Sequence, residues 1–81
     1  MKVQLRLFAI AKQEADRDVI ELTLPDEATV ADLREAFQKR FPKLQSLGLQ
    51  LRFAVNAEFA TEETRITPGD DLACIPPVSG G

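Results

Sequence analysis

Two stretches in the first third of the chain alternate apolar and polar residues with the period of a half-buried β-strand. The first runs from Lys2 to Ile10, and its inward face would consist of Val3, Leu5, Leu7 and Ala9. The second would turn Ile20, Leu22 and Leu24 inward and Val19, Glu21 and Thr23 outward. Because the polar stretch Lys12 to Arg17 separates them, we expect the two strands to pair as a hairpin with a longish loop.

The second half of the chain contains further strand patterns. A third alternating run ends at Asn56, and its inward positions are all apolar: Leu49, Leu51, Phe53 and Val55. Ala57 to Phe59 predicts a short additional strand. The pair Pro68-Gly69 is typical of a tight turn and precedes a last strand at Asp71 to Ile75.

Between the second and third strands the apolar period changes to that of a helix. Thr29 and Asp32 have the spacing of a capping box, so a helix is expected to begin at Val30. Its apolar stripe comprises Val30, Leu33, Ala36, Phe37 and Phe41. Pro42 should prevent the helix from continuing. The stripe provides a surface that can pack against a sheet.

These elements predict an α+β fold of the β-grasp, or ubiquitin-like, type. One main helix across one face of a mixed sheet of four to five strands is the economical way to bury the listed faces in 81 residues. Residues 1–81 would form a single domain, with 76–81 as a protruding tail. The ubiquitin-like fold also implies what periodicity alone does not: that the first and last strands pair in parallel at the centre of the sheet.

Composition narrows the partners and the compartment. The formal net charge is −3, and lysines and arginines are scattered, so a nucleic-acid partner is not expected. No stretch approaches the roughly 20 apolar residues of a membrane-spanning helix. Cys74 is the single cysteine, so no internal disulfide is expected, and the N-terminus lacks the apolar run of a signal peptide. A cytoplasmic location is therefore predicted.

The same composition argues against an independent enzyme. With no histidine and one cysteine, the chain cannot build a His-assisted nucleophile or an ordinary zinc site. The acidic pairs Glu62-Glu63 and Asp70-Asp71 lack the spacing of a calcium loop. We predict no metal site and no bound cofactor.

The last six residues form the most distinctive segment. Pro76-Pro77 restricts the backbone as it leaves the sheet and predicts a thin, extended arm. Gly80-Gly81 removes side chains that would obstruct an enzyme acting on a main-chain carboxylate. A terminal Gly-Gly alone is a weak signal, because glycines at a chain end usually mean only a frayed tail.

The sequence around this segment resembles the small subunits of molybdopterin synthase. The most specific match is Pro76-Pro77-Val78-Ser79-Gly80-Gly81. Leu7-Phe8-Ala9, the capped helix after Thr29 and Ala54-Val55-Asn56 match in the family's order. The resemblance covers essentially the whole chain.

The resemblance implies a sulfur carrier that is not catalytic alone. An E1-like enzyme using ATP would adenylate the carboxylate of Gly81, which would then become a thiocarboxylate. The thiocarboxylate would donate sulfur to a pyranopterin precursor, forming the dithiolene of molybdopterin. The large subunit of the synthase would hold the precursor and supply the catalytic side chains, in a heterotetramer of two large and two small subunits.

Three apolar residues fall where the pattern predicts exposure, and they suggest a partner-binding surface. Phe8 and Ile75 lie on outward faces, and Phe59 lies near the exposed short strand. The resemblance adds Lys12, which stands where an arginine is expected. The alternative is that these apolar residues are exposed singly and bind nothing.

Other interpretations stay open from the sequence. Cys74 could carry a persulfide, although its inward parity favours a buried, inert thiol. Ser79 could be a nucleophile, but no base accompanies it. The whole chain could instead be a ubiquitin-like modifier conjugated to lysine, a sulfur carrier for another pathway such as thiamine synthesis, or an interaction domain with an inert tail.

Overall fold

The alternating stretches pair into one mixed sheet. The computed structural model describes residues 1–77, and its five strands lie in the order β2-β1-β5-β3-β4. Their bounds are β1 Lys2–Leu7, β2 Val19–Thr23, β3 Arg52–Val55, β4 Glu58–Phe59 and β5 Leu72–Ile75. The predicted β-grasp arrangement is confirmed.

The central pair of strands joins the two ends of the chain. β1 and β5 are parallel, with Leu5 opposite Leu72 and Leu7 opposite Cys74. β2 pairs antiparallel with β1 and β3 pairs antiparallel with β5, while β4 continues the sheet beyond β3. The parallel pairing implied by the ubiquitin-like fold is therefore present.

The main helix, α2, spans Val30–Arg40. It begins at the predicted residue because the Asp32 carboxylate accepts the Thr29 backbone N–H at 2.9 Å and completes the capping box. The Phe37 ring lies 6.3 Å from that of Phe53 on the sheet. The inward residues of both elements form one core, and within residues 1–77 no helix has the length and apolarity needed to cross a membrane.

The first connection differs from the prediction. The β1–β2 loop contains a helix, α1, at Ala9–Ala15, so the first strand ends at Leu7 and not at Ile10. Ala9 has a positive φ of 52°, which turns the chain out of the strand. α1 buries Ala11 completely, whereas Ile10 stays 45% exposed. The predicted inward place of Ala9 is wrong for the same reason.

The approach to β3 also differs. Residues Pro42–Gln50 form a 3₁₀ segment that is kinked at Gly48, whose φ of 49° lies in the left-handed region. Leu49 is 71% exposed, so its predicted inward position on the third strand is wrong. Alternation holds only from Leu51 onward, and Leu44 of the 3₁₀ segment is buried in the core instead.

Candidate functional site

The sheet face opposite α2 carries a row of side chains contributed by all five strands. Arg6 lies opposite both Val19 and Ala73, and Ala73 lies opposite Ala54, which in turn pairs with Phe59. The two alanines are only 6% and 7% exposed although they face outward. They are covered by larger neighbours and form the floor of a depression.

This depression, which we call the outer groove, has a volume of about 180 Å³. It is lined by Arg6, Phe8, Ala54, Ala57, Phe59, Asp71, Ala73 and Ile75. The phenylalanine side chains remain accessible, with Phe8 44% and Phe59 54% exposed. The structure thus brings together three of the four residues that the sequence suggested for partner binding.

The outer groove lies where the chain leaves the sheet. Because Leu7 is opposite Cys74 in a parallel pair, the next residues, Phe8 and Ile75, lie side by side at the same end. Pro76 is buried and Pro77 exposed, so the packed domain extends one residue into the segment predicted as a tail. The predicted tail residues Val78, Ser79, Gly80 and Gly81 lie outside the described residues.

Arg52 is a site residue that the sequence analysis did not select. Its guanidinium carbon lies 3.8 Å from the centre of the Phe59 ring, a cation–π contact, and its strand position is opposite Ile75. The alternation along the third strand does indicate that Arg52 faces outward, on the same side as Ala54. Only the pairing of β3 with β4 places it beside Phe59.

A polar network fixes the opposite rim of the outer groove. The Arg6 guanidinium donates to the Asp71 carboxylate at 2.9 Å. The Asp71 backbone N–H donates to Oδ1 of Asn56 at 2.9 Å, and the Asn56 side-chain amide donates to the Asp70 carboxylate at 3.1 Å. The Thr67 backbone N–H and the Asn56 amide hold the pKa of Asp70 below its ordinary value. The loop before β5 is thereby tied to the β3–β4 turn.

Lys12 occupies a different place from the other predicted partner-binding residues. It lies on α1, and its ammonium group forms an ion pair with Asp18 at 2.7 Å. The hydrogen bond and the charge of Asp18 raise the pKa of Lys12. It lines a neighbouring depression together with Phe8, and not the outer groove itself. Its role in partner binding stays a prediction.

The Cys74 thiol is inaccessible. Cys74 is 0% exposed on the core face of β5, and burial raises the pKa of its thiol to about 12. A thiol held in its neutral form and away from solvent is a poor nucleophile. The predicted burial is confirmed, and it argues against a persulfide carrier.

In the described part of the chain, no group of three or more acidic or cysteine side chains could hold a metal ion.

Comparison with known proteins agrees with this architecture. The model of the ThiS family matches residues 5–81. The chain belongs to the ThiS family. The molybdopterin synthase sulfur carrier subunit of Dictyostelium discoideum is 35% identical in sequence to this chain, and the match covers 96% of this chain and 94% of that protein. The resemblance stated from the sequence is therefore confirmed.

Solved structures that are similar to this ThiS family member include proteins named as molybdopterin converting factor subunits and proteins named as modifiers. A putative molybdopterin converting factor subunit 1 from Pyrococcus furiosus superimposes with a TM-score of 0.84 at 30% identity, covering 96% of this chain and 99% of that one. The small archaeal modifier protein 1 of Haloferax volcanii superimposes with a TM-score of 0.82 at 27% identity, covering 95% and 98%. Both likenesses extend over the whole β-grasp domain.

Proposed function

We propose that this chain is the sulfur carrier and small subunit of a molybdopterin synthase. The observation that carries the proposal is the outer groove: an apolar surface lies beside the residue from which the Gly-Gly segment departs. A carrier needs both a docking surface and a reactive end, and here the two are adjacent. The name of the Dictyostelium relative supports the same activity.

The chemistry belongs to the carboxylate of Gly81. An adenylating enzyme would join this carboxylate to the AMP portion of ATP and release pyrophosphate. A sulfide-level donor would displace AMP and leave a thiocarboxylate, whose sulfur is a strong nucleophile. Attack on an electrophilic carbon of the pyranopterin precursor would form a C–S bond while the bond from that carbon to an oxygen leaving group breaks. Water would then hydrolyse the resulting thioester, which leaves the sulfur on the precursor and returns the carboxylate of Gly81. Gly80 keeps the approach to Gly81 open.

The partner would supply what this domain lacks. The only thiol of the chain is buried, and the outer groove contains no nucleophile paired with a base. Catalytic side chains and the precursor site would lie on the large subunit, with two copies of each subunit in the complex. Docking at the outer groove would align residues 76–81 with that site and limit the entropy lost when the segment enters it. We place the chain in the cytoplasm, where a reducing environment suits its single free thiol.

Intact-mass analysis of the protein isolated from its native cell tests this function. A fraction of the protein should be heavier by the replacement of one oxygen by one sulfur, and fragmentation should locate the change at Gly81. A variant lacking Gly81 should fold normally, carry no sulfur and fail to support molybdopterin formation. A shortened protein that still supports molybdopterin formation would refute the proposal.

One likeness favours a second function. Small archaeal modifier protein 1 carries the name of a modifier and shares the fold of this chain at 27% identity. A modifier would also need adenylation and a slender glycine tail, but its carboxyl end would form an amide bond with a lysine. Detection of the Gly81 carbonyl on lysine side chains of other proteins would favour this second function.

A further inference from the structure

Arg52 brings a positive charge to the edge of the outer groove. Its guanidinium rests 3.8 Å from the centre of the exposed Phe59 ring. A cation–π contact of this kind is not a hydrogen bond to a polar acceptor, so the N–H donors of the guanidinium can still serve other groups. Within residues 1–77, no carboxylate lies within 4.0 Å of Arg52. Arg52 is therefore held in place while its hydrogen-bonding capacity is unused by the described residues.

Arg6, the arginine that lines the outer groove itself, provides a contrast. Arg6 is neutralised by Asp71, which lies 2.9 Å away and lines the same groove. The two charges cancel locally, so Arg52 is the source of uncompensated charge beside Phe59. Glu58 is next to Phe59 in the chain but does not reach ion-pair distance of Arg52 in the described structure. An acidic group on a docking protein would complement this side of the groove.

We infer that Arg52 binds a carboxylate of the docking partner and, together with Phe59, fixes how that partner sits on the outer groove. The inference rests on the proposed function, since it takes the partner to be the large subunit of molybdopterin synthase. The apolar floor of the groove, Ala54 and Ala73, tolerates sliding contacts, whereas a hydrogen-bonded ion pair has a defined geometry. Because Arg52 lies opposite Ile75, the pair would fix orientation beside the start of residues 76–81.

Arg52→Met separates this role from simple covering of Phe59. Methionine keeps a long apolar side chain over the ring but removes the charge and the donors. Binding to the cognate large subunit would be measured by titration calorimetry at low and high salt. We expect Arg52→Met to bind about tenfold or more weakly at low salt and to show a flatter salt dependence. Arg52→Glu should bind more weakly still, because it would repel the partner's carboxylate.

Arg17→Gln is the matched control, since it removes an exposed arginine charge outside the outer groove. It should reproduce wild-type binding, and all variants should show wild-type melting temperatures. The inference would be overturned if Arg52→Met bound the large subunit at least as tightly as wild type, or if Arg52→Glu bound no more weakly than Arg52→Met. Either result would leave the proposed function intact. Failure of the wild-type protein to bind the large subunit would instead overturn the proposed function, and the inference with it.

Discussion

At the scale of single residues, the position of Cys74 on the sheet decides its chemistry. The thiol faces the core, and burial raises its pKa to about 12 from an ordinary 9.0. At pH 8 the thiolate fraction is then about one in ten thousand. Burial disfavours the thiolate, so ionisation of Cys74 does not affect the free energy of unfolding below about pH 9. Above that pH the unfolded chain ionises more readily than the folded one, and the free energy of unfolding falls as the pH rises towards 12.

We predict that iodoacetamide at pH 8 will leave Cys74 of the folded protein unmodified and will react only after denaturation in urea. Cys74→Ser should lower the free energy of unfolding by about 1 to 3 kcal/mol, because a hydroxyl replaces a buried thiol, and should keep sulfur transfer. Mass spectrometry and urea denaturation measure the two effects. Rapid labelling of the native protein, or loss of transfer without loss of stability, would revive the persulfide interpretation.

Phe8 and Phe59 should matter for binding more than for stability. Both side chains are about half exposed, so truncation removes little buried area. At the centre of an interface, however, an apolar anchor can contribute roughly 1 to 4 kcal/mol, or about tenfold to several hundredfold in affinity. Phe8→Ala and Phe59→Ala should therefore weaken binding to the large subunit with near wild-type melting temperatures.

Leu49→Ala is the control for these variants. Leu49 is 71% exposed and apolar but does not line the outer groove, so its truncation should change neither quantity. If Phe8→Ala or Phe59→Ala instead lowered the melting temperature sharply while the folded fraction bound normally, that phenylalanine would belong to the core.

At the scale of elements, Arg34 connects α2 to two loops. Its guanidinium donates to the backbone carbonyls of Gly48 and Leu51 and lies 2.7 Å from the Glu62 carboxylate. The Arg34 side chain is only 12% exposed, so water replaces few of its hydrogen bonds, whereas the Glu62 side chain is 37% exposed and can still be solvated. The contacts fix the 3₁₀ segment just before β3 begins.

Arg34→Met should lower the free energy of unfolding by about 1 to 3 kcal/mol, because it removes the donors to the Glu62 carboxylate and the Leu51 carbonyl, whereas the Gly48 carbonyl still accepts from Gln38. Lys39→Met on the same helix removes an exposed charge and should have little effect. Chemical denaturation of both variants gives the comparison. Equal stability of the two would show that the Arg34 contacts contribute nothing.

The turn before β5 depends on the ionised form of Asp70. The pKa of this carboxyl is lowered by the Thr67 N–H, 2.8 Å away, and by the Asn56 amide. Because this pKa is lowered, the ionised Asp70 carboxylate adds to the free energy of unfolding above the ordinary pKa of 3.8. This added stability is lost as the pH falls through the folded-state pKa.

Asp70→Asn should consequently be less stable than wild type at pH 7, because one amide oxygen cannot replace two carboxylate oxygens. The difference should shrink below about pH 4. Urea denaturation across this range tests the dependence. A difference that stays constant with pH would assign the effect to shape and not to charge.

The elements also show what local sequence can and cannot predict. The start of α2 was predicted correctly because Thr29 and Asp32 signal it within one turn. The sequence analysis does not predict α1, because it extends the inward and outward parity of β1 through the apolar residues Phe8, Ala9 and Ile10, and because the seven residues of α1 cover only about two helical turns. Its signal is the run of good helix formers from Ala9 to Ala15.

At the scale of the whole molecule, the sequence predicts faces but not neighbours. The outward parity of Phe8 and Ile75 was readable along each strand. The burial of Ala54 and Ala73, and the stacking of Arg52 on Phe59, depend on the strand order β1-β5-β3-β4. That order is set by pairings between residues far apart in the chain, which no local pattern specifies. The partner-binding role of these residues stays a prediction for the binding experiments.

Among the five strands in residues 1–77, the central strand, β5, is also the last to be synthesised. Until Leu72–Ile75 leaves the ribosome, β1-β2 and β3-β4 are separate hairpins, and an isolated hairpin is marginally stable at best in water. A chain interrupted before Leu72 lacks both the strand that joins the hairpins and the residues that follow it. Under the proposed function, molecules that reach an adenylating enzyme in the folded form would therefore already contain the strand that leads directly to residues 76–81.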